Sequence, residues 1–292
     1  MRLFLSTLLC LTLFSLNSIL CRMALVTYNM DAILYTAIRC FSAVAMLALL
    51  CMVHVIKPRG GQSSIWRDVW QESSWPGAFF LFMYMFWFSI TYIAMPSAAG
   101  TLILNSCVQF SMLGWGIFQG IYLTRQQLVG LIAAFVGLVF LMMPGLSTPP
   151  LWSAFTMAVA GLSWGAYTLC GRSASSAALA TAGNFMRSAV IMLLVLIVAP
   201  LFHTFSLDVP GPALACALAA GALASAFSYI LWYMVVPKYN LVAISIIQLA
   251  IPIITAVLGA MFLSEAITLR LVVCTVIILG GIALAVSVKR HS

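Results

Sequence analysis

Tyr92-Ile93-Ala94-Met95-Pro96 and Tyr233-Met234-Val235-Val236-Pro237 are the two stretches on which the reading of this chain turns. Each closes a long apolar run with a tyrosine, three apolar residues and a proline, and a glutamine follows in the next apolar run, Gln109 and Gln248. Working outward, other features recur in the same order. Arg22 and Arg39 are answered by Arg172 and Arg187, the second of each pair in Thr36-Ala37-Ile38-Arg39 and Gly183-Asn184-Phe185-Met186-Arg187. Gly130 and Gly137 near the end of the first half are answered by Gly280 and Gly281 near the end of the second. Matches kept in one order along a chain mark a duplication, here residues 1–145 and 146–292.

The segments being repeated are lipid-soluble. Apolar residues make up 64% of the 292 positions and charged residues 6%, against about 25% charged in soluble domains. A globule in water needs a solvated exterior that this composition cannot supply, so the lipid bilayer is the partner of most of the surface. Ten apolar runs are long enough to span: 3–22, 32–56, 76–94, 98–121, 126–143, 150–170, 177–201, 211–235, 239–262 and 268–288. The connections are short, the longest being the polar stretch 57–74. The N-terminal run lacks an A-x-A cleavage site and has a counterpart later in the chain, which makes it the first span and not a signal peptide. The fold expected is an all-α integral membrane protein of ten transmembrane helices.

Five spans per half is an odd number, so the second half enters the membrane from the opposite face. The result is two inverted five-helix repeats. Secondary transporters use this design for alternating access, with a substrate site near the midplane between the repeats. Basic residues set the orientation. With the N-terminus cytoplasmic, that side collects Arg2, Lys57, Arg59, Arg67, Arg125, Arg172, Lys238, Lys289 and Arg290, leaving Arg22, Arg39 and Arg270 near the other. Both termini are therefore expected in the cytoplasm.

Several function classes fall away. The net charge of +8 comes from 13 basic residues scattered among apolar runs; nucleic-acid binding needs a basic patch or stripe. The eight cysteines occur singly with no C-x-x-C, so neither a disulfide framework, nor a metal site, nor any cofactor is implied. The three histidines, His54, His203 and His291, form no H-E-x-x-H, and no paired acids lie within the spans; a membrane-embedded enzyme lacks its groups. Pores usually carry charged rings or filter loops, and neither is visible.

Polar residues within spans are costly and therefore informative. The fourth run carries Thr101, Asn105, Gln109, Met112 and Gly116 on one helix face, and the ninth carries Ser245, Gln248, Pro252, Thr255 and Gly259. Such a stripe serves either interhelical packing or a substrate cavity. The candidate binding residues are Asn17 in the first span, Trp164 and Tyr167 in the sixth, Asn105, Gln109 and Gln248 in the stripes, and Asn184 one turn before Arg187. Trp87 and Tyr92, with Tyr229, Trp232 and Tyr233, suit either an interfacial aromatic belt or a cavity wall. Arg39 and Arg187 lie several residues inside their spans, and either snorkel to the interface or hold an anionic group in the cavity. The acids Asp31 and Glu265 are expected to pair with Arg22, Arg39 or Arg270.

The run Pro252-Ile253-Ile254-Thr255-Ala256-Val257-Leu258-Gly259-Ala260-Met261-Phe262-Leu263-Ser264-Glu265, with Arg39 and Arg187 opening the second span of each half, resembles the EamA-type members of the drug/metabolite transporter superfamily. The resemblance covers essentially the whole chain. At Tyr122-Leu123-Thr124-Arg125 the first half departs from the glycine and glutamate that family members often carry there. The resemblance implies a central cavity built from the first four helices of each half, with the fifth and tenth helices outside. It also implies transport of a small-molecule substrate, often export of amino acids or related compounds, across a bacterial inner membrane. Movement of a lipophilic drug or lipid is the alternative. Glycine-rich outer helices such as the fifth suit either a homodimer contact or packing within one bundle.

Overall fold

The computed structural model describes residues 2–58, 64–120, 124–143, 150–171, 174–201, 209–235, 238–239 and 247–286. Its elements are α-helices in the order α1 (Arg2–Arg22), α2 (Ala32–Met52), α3 (Ile65–Glu72), α4 (Trp75–Thr91), α5 (Ser97–Phe118), α6 (Arg125–Met142), α7 (Leu151–Cys170), α8 (Ala177–Val198), α9 (Gly211–Gly221), α10 (Ser228–Val235), α11 (Ala250–Leu263) and α12 (Leu269–Val286). A π-helical turn, Met23–Thr27, extends α1, and another, Ala222–Phe227, joins α9 to α10 as one rod. The described residues contain no strand.

Local chemistry sets the helix starts. The Asp31 carboxylate accepts from the backbone N–H groups of Ile33 and Leu34 and starts α2. Ser74 caps α4 with Pro76 in its first turn, and Thr124 and Gln127 form a reciprocal capping box on α6. Pro96, Pro150 and Pro210 stand at the N-caps of α5, α7 and α9. Five segments are long and apolar enough to cross a bilayer: Leu3–Thr27, Ala32–Met52, Ser97–Phe118, Ala177–Leu201 and Gly211–Trp232. Shorter apolar helices cover Trp75–Thr91, Arg125–Leu141, Ala250–Leu263 and Leu269–Ala285. The stretch 57–74, expected to be a plain polar connection, instead holds α3, whose Val69 and Asp68 are buried while Trp66 and Trp70 are exposed.

Burial runs opposite to that of a soluble protein. Leu128, Val129, Ile132, Phe135 and Val136 of α6 and Leu193, Leu194 and Ile197 of α8 face outward, while Ser15, Ser18, Thr36, Arg39, Ser89, Thr91 and Ser106 are buried. A polar interior inside an apolar jacket is what a hydrocarbon solvent selects.

The helix pairs exchange between halves. Helix α1 packs on α11 as α7 packs on α5; α2 packs on α9 as α8 packs on α4; and α4 packs on α7 as the α9–α10 rod packs on α1. The pairs α2 with α8, α5 with α11, and α6 with α12 are their own counterparts. The last pair shows the relation at atomic scale. A Cβ on Gly130 would strike the carbonyl oxygen of Gly281 and the backbone of Ala285, and a Cβ on Gly281 would strike the carbonyl oxygen of Gly130 and the backbone of Ala134. Two Gly-x-x-x-Ala faces meet backbone to backbone, so α6 uses Gly130 in its packing against α12.

Two ends of the bundle can be distinguished. At one, Thr7 near the start of α1 lies 3.1 Å from the Tyr239 hydroxyl; the start of α1 and the end of α12 lie here, and it is called the termini end below. At the other, Arg22 at the end of α1 meets Glu265 after α11, and Arg270 donates to the Phe140 carbonyl at the end of α6.

Candidate functional site

Between the halves lies a cavity of about 620 Å³, a size typical of small-molecule sites. Helices α1, α4 and α5 supply one side and α7, α8, α10 and α11 the other. It runs from Ser18, Phe88 and Thr101 in the middle of the bundle to Gln127, Gly171 and Ala177 at the termini end, where those three are partly exposed.

The wall is aromatic with amide groups set into it. Tyr84 and Trp164 have ring centroids 4.8 Å apart, Trp164 and Tyr229 5.1 Å, and Phe14 lies 5.8 Å from Tyr229 and 5.9 Å from Trp232. These rings form a continuous arc along the cavity. The carboxamides of Asn17, Asn105, Gln109, Asn184 and Gln248 line the same space. Asn105 Nδ2 donates to the Thr101 carbonyl (2.8 Å), and Asn184 Oδ1 accepts from the Ser74 N–H (2.9 Å). Asn17 is 4% exposed and its Oδ1 has no partner among the described residues. Tyr167, also in the wall, has its hydroxyl 3.1 Å from Thr181 Oγ1. No described lining residue is acidic or basic.

The end toward Arg22 is shut by two polar layers. In the first, the buried Tyr92 hydroxyl donates to the Ser97 carbonyl (3.2 Å) and lies 3.0 Å from Ser18 Oγ and 3.1 Å from Thr101 Oγ1. In the second, Arg22 Nε lies 2.6 Å from Glu265 Oε1, and Arg22 also donates to the Tyr92 and Met95 carbonyls. The same carboxylate accepts from the Ser97 backbone N–H (2.9 Å to Oε2) and from Ser97 Oγ. Glu265 therefore caps α5 and pairs α1 at once.

Of the residues expected from sequence, Asn17, Asn105, Gln109, Trp164, Tyr167, Asn184, Tyr229, Trp232 and Gln248 come together around the cavity. Tyr233 falls on α10, with its side chain outside the described residues. Four others do not line the cavity. Tyr92 is fully buried in the closing layer and does not line the wall. Trp87 is half-buried outside the cavity lining, edge-on to Phe86 and to the exposed Trp152. Arg187 is buried against α3, donating to the Trp70 carbonyl (3.0 Å), with its guanidinium carbon 4.3 Å from the Trp70 ring centroid. Arg39 neither snorkels nor lines the cavity. It is fully buried behind the wall, its guanidinium carbon 4.9 Å from the Phe88 ring centroid and 5.5 Å from that of Tyr84.

Sequence reasoning left Phe14, Tyr84 and Phe88 out of the site, although all three line it. The run Trp75–Thr91 is apolar on every side, so no polar neighbour marks which face is inward. The π turn in the α9–α10 rod also escaped notice. It carries Ser225, whose Oγ accepts from Arg39 Nε at 3.3 Å.

Comparison with known proteins fits this architecture. Residues 151–287 match the model of the EamA-like transporter family. Over 286 residues the chain is 38% identical to the uncharacterized protein PA1977 of Pseudomonas aeruginosa, covering 97% of this chain and 94% of that protein. A solved crystal structure of a protein, 19% identical, aligns over 96% of this chain and 95% of its own with a TM-score of 0.65. At that identity the likeness is one of fold.

Proposed function

The chain belongs to the EamA-like transporter family and is a multi-pass membrane protein, and from that premise we propose that it exports a small metabolite, an amino acid or a related compound, by alternating access. The observation that carries the reading is a cavity shut at one end by the Arg22–Glu265 cluster and leading to partly exposed residues at the other. A solute path that is closed on one side only is one of the two states alternating access requires.

In this reading ten helices span the bilayer as two inverted repeats, 1–145 and 146–292. The exchange of packing partners between halves supports the repeat. Among the described residues, Lys57, Arg67, Arg125 and Lys238 flank helix ends on the termini side, which supports cytoplasmic termini, a place in the bacterial inner membrane and loading from inside. The wall supports the solute class. Six carboxamides, Gln127 at the termini end included, offer donors and acceptors to a polar group, and the aromatic arc offers a surface for an apolar body.

Breaking the closing layers while the termini end collapses around the solute produces the opposite state. The two-fold relation between halves supplies it at low cost, because each half can take up the packing now made by the other.

The test is counterflow in proteoliposomes. Vesicles loaded with a pool of unlabelled amino acids should take up a labelled member faster than empty vesicles do. Equal uptake with and without the internal pool, across pools of amino acids and of other small metabolites, counts against the proposal.

A further inference from the structure

Arg39 is a buried charge without a counter-ion among the described residues. It is 0% exposed, and the ion pair found among the described residues, Arg22 with Glu265, does not involve it. Its Nε donates to Ser225 Oγ (3.3 Å) and its Nη2 to the Tyr84 hydroxyl (3.4 Å), while Nη1 has no partner among the described residues. A cation held this way is costly, and one left unneutralised raises the potential of any low-dielectric space beside it.

The space beside it is the cavity. Tyr84 and Phe88 connect the two: both line the cavity, and the Arg39 guanidinium, which does not line it, lies against both rings. The Tyr84 hydroxyl accepts from Arg39, so its own proton is directed to some other acceptor, and none is present among the described residues. A phenol that accepts from a guanidinium becomes a stronger donor, because hydrogen bonds in a chain polarise one another. The lining carries no acid that would offset this.

We propose that the cavity, taken as the substrate site of the preceding section, selects solutes bearing a carboxylate over those bearing only a cation. Arg39 is the positioning charge and Tyr84 the donor that meets the carboxylate. The aromatic arc alone would favour cations through its ring faces. Arg39 lies against Tyr84 of that arc and against the neighbouring Phe88 ring, and opposes that preference.

The experiment uses the whole protein in nanodiscs of neutral phosphatidylcholine and three probes of one shape: 3-phenylpropionate, 3-phenylpropionamide and 2-phenylethylamine. Binding is followed by titration calorimetry. The expected order is carboxylate, then amide, then amine, with carboxylate over amine by at least about tenfold. Arg39→Met should erase the order, Arg39→Lys should restore part of it, and Tyr84→Phe should reduce it with the ring retained. A role in folding alone would weaken all three probes together and leave their ratio unchanged.

Binding of the amine as tight as or tighter than the carboxylate in the unaltered protein overturns the charge selection and leaves the cavity as a binding site. An unchanged ratio in folded Arg39→Met overturns it as well. Should that variant fail to fold, the unaltered protein and Tyr84→Phe decide. Failure of all three probes to bind counts against the cavity as the substrate site, and the inference falls with it.

Discussion

The Arg22 guanidinium lies 2.6 Å from the Glu265 carboxylate, joining the end of α1 to the segment that follows α11 across the closed end of the cavity. The two residues are 243 positions apart in sequence and only 15% and 14% exposed. Removing one partner leaves the other charge poorly solvated, which costs on the order of 3 kcal/mol. That is about a hundredfold in the balance between closed and open forms at this end. Arg22→Ala and Glu265→Gln should each open it. With spin labels at the exposed positions Ile93 and Ile267, distance measurements should show a longer population growing in both variants.

Gln109 and Gln248 line the cavity from α5 and from the segment before α11. A hydrogen bond from each to a solute is worth about 1 kcal/mol net, so Gln109→Ala and Gln248→Ala should each raise the KM for transport about fivefold. Trp87→Phe, outside the lining, should leave KM unchanged. Initial rates in proteoliposomes check both.

The contact between Gly130 and Gly281 has no room for a side chain. Gly281→Leu should lower stability by about 1–3 kcal/mol through overpacking, seen as a lower Tm of the purified protein. Gly280→Leu, next in sequence but with nothing within 4 Å of its would-be Cβ, should not. Equal effects of the two would remove the α6–α12 contact from the account.

Arg187 ties α8 to α3 through the Trp70 carbonyl and the Trp70 and Trp75 rings. Arg187→Ala should lower the Tm while leaving substrate KM unaltered. A rise in KM without a fall in Tm would return Arg187 to the cavity.

The long apolar helices could be read directly, because apolar runs in lipid need no tertiary partner to be recognised. The eight-residue α3 could not: Arg67, Asp68 and Glu72 give it the composition of a loop, and only its packing against α8 reveals the buried Val69. Polar residues in the wall, such as Asn105 and Gln109, were legible because amides are rare in spans. Tyr84 and Phe88 were not, because in Trp75–Thr91 they differ little from their neighbours. The depth of Arg39 and Arg187 was visible, but their directions depend on Ser225 and Trp70, more than 100 residues away in sequence. Tyr92 was rightly picked out by its repeat, yet it closes the cavity and does not line it.

The most direct test of alternating access is the accessibility of a single cysteine at Gln109 from each face of the membrane. Of the native cysteines, all but Cys170 are buried, so Gln109→Cys is made with Cys170→Ser. Without substrate, a membrane-impermeant thiol reagent should label position 109 from the termini side and not from the other. With Arg22→Ala added, labelling should appear from the Arg22 side and fall from the termini side. Labelling from both sides at once would describe a pore, and labelling from the termini side alone in both proteins would contradict the account.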